Sequence, residues 1–113
     1  MDADTLVALR GSIAKWQRIV EGHGTDQGPY NCPLCAKFNK AFLRTFVDPI
    51  GCEGCPVQEK SGKPGCLGTP YETIEELYEV EGMPEDERED KLDDACKAEL
   101  AFLISLLPEG ESP

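Results

Sequence analysis

Cys32-Pro33-Leu34-Cys35 and, after a spacer of sixteen residues, Cys52-Glu53-Gly54-Cys55 set the frame for the whole chain. Two Cys-x-x-Cys pairs at this separation have the ligand spacing of a tetrahedral Zn(Cys)4 site. A two-residue gap lets the backbone turn tightly enough to aim both sulfurs at one point, so each pair clamps one edge of the tetrahedron. Pro33 in the first knuckle, Gly51 and Gly54 around the second, and Pro56 just after it suit such turns. The expected ligands are Cys32, Cys35, Cys52 and Cys55, with Zn2+ as the cofactor. Cys66, beyond a Gly/Pro-rich stretch, is a fifth sulfur and a substitute for one of the four.

The ligand type bears on function. An all-thiolate site is electron-rich and closed, hence a poor Lewis acid, whereas catalytic zinc keeps an open position, commonly beside His or carboxylate ligands. The chain has one histidine, His23, so it cannot assemble machinery built on several. The expectation is a structural zinc and no enzyme. An iron–sulfur redox centre also takes four thiolates, although this spacing matches neither common ferredoxin run. His23 lies between two glycines and reads as a loop residue, and Cys96 as a small buried hydrophobe on a helix.

At 113 residues and 12.4 kDa the chain makes one domain. A chain of this size buries only about 60–70% of its unfolded surface, so a metal cross-link would relieve a thin core. No apolar run approaches the roughly 18–20 residues that span a bilayer. Met1-Asp2-Ala3-Asp4 lacks the basic start of an export signal, which points to the cytoplasm, where paired thiols favour metal over disulfides.

The net charge of −11 is lopsided. Residues 1–71 carry eight Lys/Arg against seven Asp/Glu, and residues 72–113 carry three against fifteen. The acidic part disfavours nucleic acid and anionic membranes as its partners and favours a basic protein surface, or simple solubility.

Periodicity predicts a first helix over 4–21, with Leu6, Leu9, Ile13, Trp16 and Val20 on one stripe, Asp4 or Thr5 as cap and Gly22 as stop. Gly11 weakens its middle by about 1 kcal/mol relative to Ala. After the first knuckle, Phe38, Phe42 and Phe46 predict a short helix over 36–47, and residues 51–69 read as irregular chain ordered by metal. Thr69-Pro70-Tyr71-Glu72 is a capping box that opens a helix to about Glu81, with Ile74, Leu77 and Tyr78 inward. Pro84 opens a last helix to about Leu107, whose stripe runs through Leu92, Cys96, Leu100 or Leu103, and Leu107.

Two surfaces could recognise a partner. Lys37, Lys40 and Arg44 would serve a zinc-finger-like nucleic-acid binder. The carboxylates Glu72, Glu75, Glu76 and Glu79, followed by Glu85, Asp86, Glu89 and Asp90, form a helical array that can imitate the phosphate charge of a duplex and dock on a basic surface.

The runs Cys52-Glu-Gly-Cys55-Pro56-Val57, Ser61-Gly62 and Cys66-Leu-Gly-Thr69-Pro70-Tyr71, with Cys32-Pro-Leu-Cys35 upstream, resemble small cysteine-rich proteins encoded by tailed bacteriophages. The resemblance covers about residues 30–71. It implies zinc binding, places Cys66 and the Thr69-Pro70-Tyr71 turn within the metal module, and suggests an inhibitor of a host nucleic-acid-handling or defence protein. The expected architecture is mainly α-helical, about four helices around a Zn(Cys)4 knuckle module with an irregular Gly/Pro-rich loop. Residues 1–22 form the N-terminal helix, 30–68 the zinc module and 69–108 the acidic helix pair.

Overall fold

Five helices, in a computed structural model that describes residues 1–27, 31–38, 54–62 and 68–111, make the protein mainly α-helical, with no strand among the described residues. They are α1 (Ala3–Val20), α2 (Pro33–Phe38), α3 (Pro56–Ser61), α4 (Pro70–Glu79) and α5 (Glu85–Ser105).

The first helix follows its apolar stripe. Leu9, Ile13 and Trp16 are buried, and Leu6 and Val20 are half-buried at its margins. Its cap is Asp2, not Asp4 or Thr5: the Asp2 carboxylate accepts the Thr5 N–H at 2.7 Å. Thr5 is the third residue of the helix and is buried.

Two expectations about the cysteine region change. The first-knuckle helix starts at Pro33, inside the knuckle, so that Cys35 sits on α2 instead of preceding it. Within 51–69, residues 56–61 are helical, not irregular. Pro56 supplies the preset φ of a first helical position after the extended Cys55, and Val57 anchors the turn in the core. Both short helices therefore begin with the same Cys-Pro step. Lys40, Phe42, Arg44 and Phe46 lie outside the described residues.

The C-terminal pair starts where its punctuation predicts, with Thr69 and Pro84 at the N-caps of α4 and α5, but the Thr69 side chain makes no capping hydrogen bond, so the expected capping box does not form. The Glu72 carboxylate accepts the Gly68 N–H at 2.9 Å, one residue further out than a capping box requires. Ile74 and Leu77 are buried, but Tyr78 is 49% exposed and does not point inward as expected. On α5 the buried positions are Ala95, Cys96, Glu99 and Leu103, while Leu100 is half-buried. The helix α1 packs on α5 and α2, and α4 packs on α5. Leu9, Ile13 and Ile74 sit at the centre, at 0–1% exposure. Among the described residues, no helix is long and apolar enough to cross a membrane.

Candidate metal centre and acidic face

The first knuckle is seated on the middle of α1. A Cβ at Gly11 would lie 2.9 Å from Pro33 Cγ, so only glycine lets the knuckle approach this closely. The helix penalty of that glycine, about 1 kcal/mol, goes with the contact. Beside it, Ser12 Oγ accepts the Leu34 N–H at 3.4 Å and lies 3.7 Å from Cys32 Sγ. Within the knuckle, Cys35 N–H donates to Cys32 Sγ at 3.5 Å, and the Cys32 carbonyl accepts the Ala36 N–H at 3.0 Å.

These contacts favour a thiolate. The Cys32 thiol is brought down to about 6, chiefly by its interaction with the Cys35 side chain. Burial opposes the shift, and the Cys35 amide, the Ser12 hydroxyl and the Lys15 ammonium add to it. Metal ligation needs the deprotonated sulfur, so a thiol ionised at neutral pH loses less on binding a cation.

The second knuckle repeats the device. The Cys55 carbonyl accepts the Glu59 N–H at 3.0 Å, as Cys32 does for Ala36. Gly54, at φ 86°, holds a left-handed conformation with the Phe38 ring 3.3 Å from where a Cβ would stand. Gly54 thus lies against Phe38 at the end of α2, and Cys55 beside it in sequence is 4% exposed. Cys32, Cys35 and Cys55 are the expected ligands among the described residues; Cys52 and Cys66 lie outside them. Among the described residues, no three His, Cys, Asp or Glu side chains are arranged to hold a metal ion. In chemistry the first knuckle suits a thiophilic cation, with a thiol brought down to about 6 and an amide N–H on its sulfur, but Cys55 is not grouped with Cys32 and Cys35. His23 is exposed in the loop after α1, and Cys96 is buried on α5, where burial raises its thiol.

A buried polar cluster was not foreseen. Asp26, from the loop between α1 and the first knuckle, has a side chain only 2% exposed and pairs with Lys15 at 2.9 Å. Its other oxygen accepts the Tyr71 hydroxyl at 2.9 Å and lies 3.5 Å from that of Tyr78. Burial, and then Asp26, push Tyr78 up to about 12. Lys15 Nζ also sits 5.1 Å over the Trp16 ring, which meets Tyr71 edge-on at 5.8 Å. One loop carboxylate thereby ties α1 to α4. On α5, Glu99 is 3% exposed with one carboxylate oxygen lacking a partner, and burial raises it to about 7. Glu99 stands seven residues after Leu92 and four before Leu103, on the apolar stripe, and that position was the available signal. Asp26 had none, since a loop carboxylate looks alike whether buried or solvated.

The acidic face is exposed as its charge requires. Glu75, Glu76 and Glu79 on α4 and Glu85, Asp86, Glu89 and Asp90 on α5 all face solvent, while Glu72 is half-buried on its Gly68 bond. Partial burial and the neighbouring Glu79, Asp26 and Glu72 charges raise Glu75, so these carboxylates feel one another. Lys91 pairs with Glu87, and Lys97 with Asp93, one turn apart on α5. A groove of about 460 Å³ runs between the two helices, floored by Leu77, Ala95 and Ala98 and edged by Lys91 and Asp94.

Comparison with protein-family models, with curated proteins and with solved structures finds no significant match to this chain.

Proposed function

We propose that this is a small non-enzymatic binding protein, stabilised by zinc held on cysteine thiolates, that presents the carboxylates of α4 and α5 to a basic protein surface. The observation that carries the reading is the division of labour along α4 and α5. Ile74, Leu77, Ala95 and Leu103 are buried, while seven of the eight expected partner-binding carboxylates project from the same two helices into solvent. A charge array on packed helices is preorganised, which gives complementarity to a basic groove and a fast, salt-dependent encounter.

The zinc would be held by Cys32, Cys35, Cys52 and Cys55, with Cys66 able to replace one of them. When bound it supplies a cross-link, not a reaction centre. In keeping with the phage resemblance, the basic partner is read as a host protein that handles nucleic acid or serves defence, acting in the host cytoplasm.

The test is displacement of a fluorescent 20-base-pair duplex (an arbitrary length of about two turns) from a panel of basic DNA-binding domains. The expected result is release of duplex from at least one domain by the wild-type protein. The triple variant Glu75→Lys, Glu76→Lys, Glu79→Lys should release none. Retention of the wild-type protein itself on heparin or duplex DNA, abolished by Lys37→Glu, would instead favour the nucleic-acid-binding reading. If charge reversal altered no interaction, the acidic-surface reading would be wrong.

A further inference from the structure

Ser12 occupies a place where packing has no use for a hydroxyl. It is 1% exposed in the stripe of buried α1 residues that includes Ala8, Leu9, Ile13 and Trp16. Alanine would fill such a position with better helix propensity and no polar group to satisfy. A serine inside a helix ordinarily turns its hydroxyl back to the carbonyl four residues earlier. This one faces the knuckle, accepting the Leu34 N–H at 3.4 Å with Cys32 Sγ 3.7 Å away. With Leu34 donating to its lone pair, the single hydroxyl proton is available for the sulfur. The adjoining Gly11 leaves room for Pro33 on the same side, so two consecutive α1 residues are fitted to this knuckle.

We infer that Ser12 is a positioning residue of the metal centre: its hydroxyl donates to the Cys32 thiolate while its oxygen fixes the Leu34 amide, so that α1 sets the orientation of a ligand it does not itself supply. The inference rests on the zinc reading. Outer-shell hydrogen bonds of this kind orient the ligand and tune its donor strength, and their removal typically costs about 10–100-fold in metal affinity. The Gly11–Ser12 seat also couples α1 to the metal site, some twenty residues away in sequence.

The experiment measures zinc affinity of the full chain by competition with a chelator, and the sulfur-to-cobalt charge-transfer band after cobalt substitution. The variants are Ser12→Ala and Ile13→Val, the latter a mild core truncation one residue along α1. The expected result is a loss of about 10-fold or more for Ser12→Ala with a shifted cobalt band, and no change in either readout for Ile13→Val. Equal affinities for wild type and Ser12→Ala, or equal losses in both variants, would overturn the inference while leaving the zinc reading intact. Should Ser12→Ala fold too poorly to measure, Ser12→Gly lacks the same hydroxyl and is read in the same way, with wild-type affinity and an unshifted band overturning the inference. A wild-type chain that binds no zinc would overturn the metal reading, and this inference with it.

Discussion

The knuckle side of the molecule and the outer face of α4 and α5 use polar groups in opposite ways. Around α1 and the first knuckle, polar atoms are few, sheltered and specifically bonded: Ser12 to Leu34, Asp26 to Lys15 and Tyr71, Cys35 to Cys32. On the outer face, carboxylates are many and exposed, and the ion pairs of α5 lie between side chains about half exposed to solvent. A buried, bonded polar group is costly to disturb, whereas exposed pairs contribute about 0.3–0.5 kcal/mol each. Substitutions on one side should therefore change folding, and on the other recognition.

The steepest break in that contrast should come at the thiols. Cys35→Ser is expected to release the metal and lower the melting temperature by roughly 10 °C or more, read by differential scanning calorimetry with and without chelator. A chelator that leaves the wild-type melt unchanged would contradict a metal that stabilises the fold. Next comes Asp26→Ala, which takes the carboxylate from Lys15 and the acceptor from the Tyr71 hydroxyl. Its expected cost is about 3 kcal/mol in urea unfolding. A cost below about 0.5 kcal/mol would mean that the cluster behaves like the outer face.

Glu99 sharpens the comparison from the other direction, since its burial is unfavourable. Its pKa rises from 4.5 to about 7 on folding, mainly through burial, so the folded state holds the proton more tightly than the unfolded chain does. The stability this proton supplies is complete below pH 4.5 and is lost as pH climbs toward 7. Glu99→Gln removes the dependence and should stabilise the protein by up to about 3 kcal/mol at pH 8, with little difference at pH 4.5. Thermal melts of both proteins across that range decide it, and parallel curves would contradict the assignment. The smallest effect is expected on the outer face, where the triple reversal of Glu75, Glu76 and Glu79 should shift unfolding by about 0.5 kcal/mol per residue at most.

The sequence foretold some of these features and concealed others for physical reasons. The helices α1, α4 and α5 were legible because each pairs a 3.6-residue apolar period with a cap or proline at its start. The turn α3 was missed, although Cys55-Pro56 repeats the Cys32-Pro33 step, because Gly/Pro density masked a helix of six residues. Gly11 weakens its helix in the sequence alone, and the Pro33 ring against it supplies the reason for a glycine there. Ser12 and Asp26 carry their meaning only through residues distant in sequence, so neither spacing nor composition marks them. Of the candidate site, the pairing of Cys32 with Cys35 and the exposure of the acidic ridge were legible from spacing and charge.

Elemental metal analysis with native mass spectrometry, on protein purified without added metal, tests the central claim most directly. The account predicts one zinc per chain, lost together in Cys35→Ser and Cys55→Ser. Iron accompanied by sulfide, or a metal-free chain of unchanged stability, would contradict it.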